Sequence, residues 1–101
     1  MNTAAVLSAL RSVRSSVTET TQVKAIRAAS GLGKAAFDAA ALALHASSTI
    51  ELRRLDVYQV SKIPAEERAD RLVFVPDGGP VSRRGVESGS YYYGAWECSA
   101  V

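Results

Sequence analysis

The chain has one cysteine, one histidine, one tryptophan and three prolines in 101 residues. Cys98 alone cannot close an intramolecular disulfide, and nothing in cysteine usage points to an oxidising compartment. It stands outside any CxxC context, so an inert thiol is expected. His45 has no Cys, Asp or Glu at metal-ligand spacing, which predicts a solvent-exposed or hydrogen-bonded histidine and no metal site. No apolar run reaches the length of a membrane span, and no basic segment precedes an apolar one at the N-terminus. The expectation is a soluble, cytoplasmic protein. A catalytic set is missing too. Glu66 and Glu67 are explained by the start of a helix and by neighbouring arginines. Gly31 to Lys34, Gly-Leu-Gly-Lys, lacks the full spacing, the following Ser or Thr and the preceding strand of a phosphate loop. No cofactor and no enzymatic activity are expected.

Present in quantity are apolar residues, 48% of the chain against 22% charged, a balance that fits one folded domain over residues 1–101 and excludes a disordered chain. Alanine is abundant, and arginine outnumbers lysine by nine to three, as in a helix-rich protein. The formal net charge of +2 conceals an asymmetry: residues 1–54 carry +4 and the remainder −2, with Arg83 and Arg84 as a basic pair within the acidic part. Such an excess suits nucleic-acid phosphates and suits solvated helix faces equally.

Val6, Leu7, Leu10, Val13 and Val17 recur at helical spacing and predict a helix over 3–15 with Asn2 as its N-cap. The Ser- and Thr-rich stretch 15–21 reads as a connection. A second helix is expected over 22–30, with Val23 and Ile26 inward and Gly31 closing it in the left-handed conformation. A third is expected over 34–46. From residue 49 the period changes to two, which predicts a strand over 49–54 with an extended continuation to Val60. Pro64 opens a short helix over 64–70, with Glu66 and Glu67 at its positive end and Arg68 and Arg71 at its negative end. Leu72 to Val75 reads as a strand, 76–80 as a turn, and Tyr91 to Glu97 as the last strand. The last two strands form a hairpin around an arginine-bearing loop.

The segment VKAIRAASGLGKAAFDAA, Val23 to Ala40, places Gly31 at a turn, Leu32 beneath it and Phe37 entering the core from the third helix. With the surrounding order of three helices, short strand, short helix and C-terminal β-hairpin, the chain resembles the winged helix-turn-helix superfamily from Ala4 to Trp96. The resemblance implies an α+β fold and a DNA-binding module, with the third helix in the major groove and the hairpin loop as a wing. A transcriptional regulator acting as a homodimer on double-stranded DNA is the implied activity.

The third helix qualifies that expectation. Phe37, Ala40, Ala41, Leu44 and Ser48 fall within about 100° of one another and form its buried face. The outward side offers Ala35, Asp38, Ala39, Leu42 and Ala46, none of which donates a hydrogen bond to a base edge, so backbone contacts are expected to dominate. Lys24, Arg27 and Lys34, together with Arg83 and Arg84, are the candidate phosphate contacts; each is equally readable as a solvated side chain. Arg53 and Arg54 point to opposite faces of a strand, and edge protection explains them as well.

An alternative is a non-enzymatic adaptor or inhibitor that binds another protein. Its surface would be helix 34–46, through Ala35, Ala39 and Leu42, and the Tyr-rich strand, through Tyr92 and Trp96. Strict alternation along that strand puts Tyr91, Tyr93 and Ala95 on one face and Tyr92, Gly94 and Trp96 on the other. One set packs on the helices, while the other is covered by the chain itself or is free to contact a base or a partner.

Overall fold

A computed structural model describes residues 2–16 and 19–98, and every structural statement below concerns these residues. Helix α1 runs over Asn2–Val13 and buries Val6, Ala9 and Leu10, the three- and four-residue spacing that makes one helical face. Asn2 is already helical and so does not act as the expected cap. Val13 is exposed although the stripe placed it inward, and Val17 lies outside the described residues. The expected connection contains a two-residue strand, β1 (Thr21–Gln22), which leads directly into α2 (Val23–Ser30). Val23 and Ile26 are buried, and α2 ends at Gly31 with φ +72°. The Ser30 hydroxyl donates to the Arg27 carbonyl and accepts from Leu32 N–H at 3.1 Å, which steers the chain out of the helix.

Helix α3 (Lys34–Ala46) has the expected bounds and buries Phe37, Ala40, Ala41 and Leu44. Ser48, expected on that face, is exposed in the turn beyond the helix, at φ +61°. Strand β2 covers Ile50–Leu55. Its extended continuation does not occur. Asp56 starts helix α4 (Val57–Ser61), accepting from Gln59 N–H at 2.8 Å while Gln59 Oε1 accepts from Asp56 N–H at 3.4 Å. This reciprocal capping satisfies backbone donors that an extended chain would have directed to a neighbouring strand. Pro64 caps α5 (Ala65–Arg71), and β3 (Val73–Pro76) and β4 (Gly89–Glu97) complete the order.

The sheet is antiparallel, and β4 is its centre. β2 pairs along one edge, from Ile50 opposite Glu97 to Leu55 opposite Tyr91. The other edge is shared end to end: β3 pairs from Val73 opposite Tyr92 to Pro76 opposite Gly89, and β1 pairs Thr21 with Ala95 and Gln22 with Gly94. Arg53 lies opposite Gly94 and Arg54 opposite Tyr92, so Tyr93 is an extra residue, a β-bulge, at the junction between β1 and β3.

The bulge overturns the expected alternation of β4. It sets Tyr92 on the same face as Ala95, where both meet α1, α2 and α3 with Ile50, Leu52 and Val73 in the main core. Tyr91 instead enters a second, smaller core with Val60, Leu72 and Val86, which Leu55, Ile63 and Phe74 flank. Burying a side chain such as Phe37 or Leu10 stabilises the fold by about 1.5–3 kcal/mol. The result is an α+β domain with five helices and a four-stranded antiparallel sheet among the described residues.

Candidate nucleic-acid interface

The 77–88 loop between β3 and β4 is built by its own polar groups. The Ser88 hydroxyl and, after it, Gly79 N–H donate to Asp77, and these bonds hold its carboxyl below the ordinary aspartate range. Ser82 Oγ accepts from Val86 N–H at 3.1 Å and from Arg84 N–H at 3.3 Å, while Ser82 N–H donates to the Val86 carbonyl. The fully buried Val86 side chain then pins the loop to the second core. Arg83 and Arg84 ride on this turn, both exposed. Neither makes an ion pair among the described residues; the Arg84 guanidinium lies 5.3 Å from the centre of the Tyr58 ring.

Lys24, Arg27 and Lys34 occupy a different environment. Lys24 Nζ is 3.3 Å from Asp70 Oδ2, and Arg27 pairs with the other oxygen of the same carboxylate. The hydrogen bond from Lys24 leads in holding the Asp70 carboxyl below its ordinary value; partial desolvation works against it and Arg27 adds to it. Lys34 Nζ contacts Asp38 Oδ2 at 2.5 Å and donates to the Leu72 carbonyl at 3.1 Å. The five candidate phosphate contacts therefore fall into two groups, three held against α3 and α5 and two on the loop. A cleft of about 450 Å³ is lined by Lys34, Asp38 and Arg68 together with Gly85 and Glu87, so Lys34 is the one candidate contact that borders it. Asp38 Oδ1 is buried there without a hydrogen-bond partner.

The candidate protein-contact residues also separate. Ala35 and Ala39 are exposed in one row with Ala43 and Ala46. Leu42 is half-buried and packs on the main core, so it is not the free outward anchor expected of it. Tyr92 packs there too, its ring 5.6 Å from that of His45, whose Nδ1 accepts from Leu52 N–H at 3.3 Å. Trp96 is half-buried, donates to Glu51 at 3.3 Å and carries the Arg53 guanidinium 5.4 Å above its ring. Arg54 is exposed and makes no ion pair among the described residues.

Sequence reasoning missed Tyr58 and Lys62. Tyr58 projects from α4, half exposed, and Lys62 Nζ lies 4.4 Å from its ring centre. The signal was the spacing of Asp56 and Gln59, a capping pair that converts a strand-like run into a helix and brings residues 58 and 62 onto one side.

Among the described residues no three His, Cys, Asp or Glu side chains converge as a metal-ligand set, and no helix is long and apolar enough to cross a membrane. The architecture defines the class of the protein as an α+β domain on a bulged antiparallel sheet. No family model, curated protein or solved structure matches the chain.

Proposed function

We propose that the protein is a winged helix-turn-helix module that binds double-stranded DNA mainly through the phosphate backbone, as a transcriptional regulator. The observation that carries this reading is the pairing of a helix–turn–helix at Gly31 with an arginine-bearing loop between β3 and β4, whose Gly85 lines one cleft with Lys34 at the start of α3. Support for the fold assignment comes from the strand between α1 and α2, which pairs with the last strand, and from the strand after α3, which pairs with the same one. On this reading Arg83 and Arg84 contact phosphates directly. Lys24, Arg27 and Lys34 are fixed in orientation by their carboxylates, and α3 presents a smooth alanine surface to the groove. Base readout is minor, since that surface supplies no donor.

A salt titration of binding to random-sequence duplex tests the proposal. Affinity falls steeply with salt, and Arg83→Ala with Arg84→Ala lowers the log–log slope by about 2. Absence of binding at low salt overturns it. A second reading, a homodimer or adaptor contact through α3, has in its favour the exposed row Ala35, Ala39, Ala43 and Ala46, which lets another helix approach closely. Sedimentation then shows a mass that rises with concentration in the wild type and stays monomeric in Ala39→Arg. A monomeric wild type counts against the homodimer.

A further inference from the structure

We infer that Tyr58, Lys62 and Arg84 form a preorganised phosphate clamp, joining α4 to the 77–88 loop, that takes the backbone phosphates of duplex DNA. Lys62 and Arg84 both meet the Tyr58 ring, at 4.4 and 5.3 Å from its centre. The electron-rich ring attracts each cation, so two positive charges from segments more than twenty residues apart lie beside one ring. No carboxylate lies within ion-pair distance of either among the described residues. Asp56 caps α4, Asp77 accepts from Ser88 and Gly79, and Glu87 on the same loop lines the cleft that Lys34 and Arg68 share. Two like charges beside one ring repel each other, and a bound anion offsets that repulsion while meeting side chains whose freedom is already reduced. The loop contributes a fixed backbone, because Val86 is buried and Ser82 closes the turn. Arg83 precedes Arg84 on the same turn and is also exposed. Phosphate is the anion that fits, as a compact acceptor able to take donors from an ammonium and a guanidinium together.

The clamp rests on the DNA-binding reading, and the same salt titration separates their failures. Three variants are measured beside the wild type on a random duplex. Lys62→Ala lowers the log–log salt slope by about 0.9, since one phosphate contact is lost. Tyr58→Ala leaves the slope unchanged, because both cations remain, and weakens binding roughly two- to fivefold through lost orientation. Tyr58→Phe keeps the ring and binds as the wild type does. All three side chains project outward, and circular-dichroism melts establish that each variant is folded. Binding by the wild type with no effect of Lys62→Ala or Tyr58→Ala overturns the clamp and leaves the reading intact. No wild-type binding overturns both. Tighter association with vesicles of phosphatidylserine and phosphatidylcholine than with duplex, at equal phosphate, also overturns the clamp. The exposed Val57 and Val81 would then belong to a membrane-facing surface.

Discussion

Arg27 on α2 donates to Asp70 on α5, and the carboxylate it meets is shared with Lys24 one helical turn earlier. Helices that have only slight apolar contact with each other are joined by charge, and the same pairs hold two candidate phosphate contacts in place. Such a pair is a weak source of stability where it is exposed, as the Asp70 side chain is by nearly half. Its pH dependence is nevertheless definite in sign.

The lowered Asp70 carboxyl contributes stability above the unfolded aspartate value of about 3.9, and that contribution is lost as pH falls through the lower folded value. Asp70→Asn should therefore melt below the wild type at neutral pH and converge with it in acid, in melts recorded from pH 7 to pH 2. On the DNA reading the same substitution removes one negative charge beside two cations, so duplex affinity rises. A wild-type-minus-variant difference that persists unchanged to pH 2 contradicts the assigned role.

Gly94 on β4 lies opposite Gln22 of β1. A Cβ there would lie 2.6 Å from Thr20 Cγ2 and 2.9 Å from the Thr21 carbonyl oxygen, and the second contact is backbone that cannot simply swing aside. Gly94→Ala is expected to displace β1 and to cost about 1–3 kcal/mol. Urea denaturation reads this as a lower midpoint at unchanged slope, and a midpoint equal to the wild type counts against the close approach.

Val86 has no exposed surface and is the apolar anchor of the loop that carries Arg83 and Arg84. Val86→Ala removes two methyl groups from the second core and should cost about 2 kcal/mol. Amide hydrogen exchange is expected to speed up across 82–88 while α1 to α3 keep their protection at conditions where the variant remains folded. Uniform loss of protection over the whole chain would mean that the second core is not a separable unit.

Alkaline pH acts on the same core. Burial, reinforced by the Glu87 charge and opposed by Arg68, pushes the Tyr91 phenol up. A raised folded value means that stability is fully present below the unfolded tyrosine value of about 10 and is lost as pH rises through the folded one. Tyr91→Phe removes this titration, although it also removes the 3.2 Å hydrogen bond to the Glu87 carbonyl. The expected signature is a melting temperature less sensitive to pH above 10 than that of the wild type.

Helices α2 and α3 and the turn at Gly31 were legible in sequence because their determinants are local. Val23 and Ile26 mark the inward face of α2, Gly31 supplies a left-handed residue, and Phe37, Ala40, Ala41 and Leu44 repeat with the helical period. The helix α4 was hidden because Val57, Tyr58 and Val60 continue the β-prone composition of β2, and the deciding interaction is a cap between Asp56 and Gln59. The bulge at Tyr93 has no local mark: three consecutive tyrosines fit either pleat, and the register is settled by the β2, β1 and β3 partners. For the candidate site, the cations were visible as residue types, but their pairing was not. Asp70 lies 43 residues from Arg27, and Tyr58 reaches Arg84 across an entire strand and helix, so both relations depend on the completed fold.

The position of β4 between β2 on one edge and β1 with β3 on the other has a kinetic meaning. None of those three strands pairs with another; each finds its hydrogen bonds only on β4, with Thr21 meeting Ala95 across most of the chain. No two-strand intermediate can therefore form without the final strand, and ring closures of high entropic cost precede every sheet contact except the hairpin with β3. The helices can gather early, but assembly of the sheet becomes a late and nearly all-or-none event.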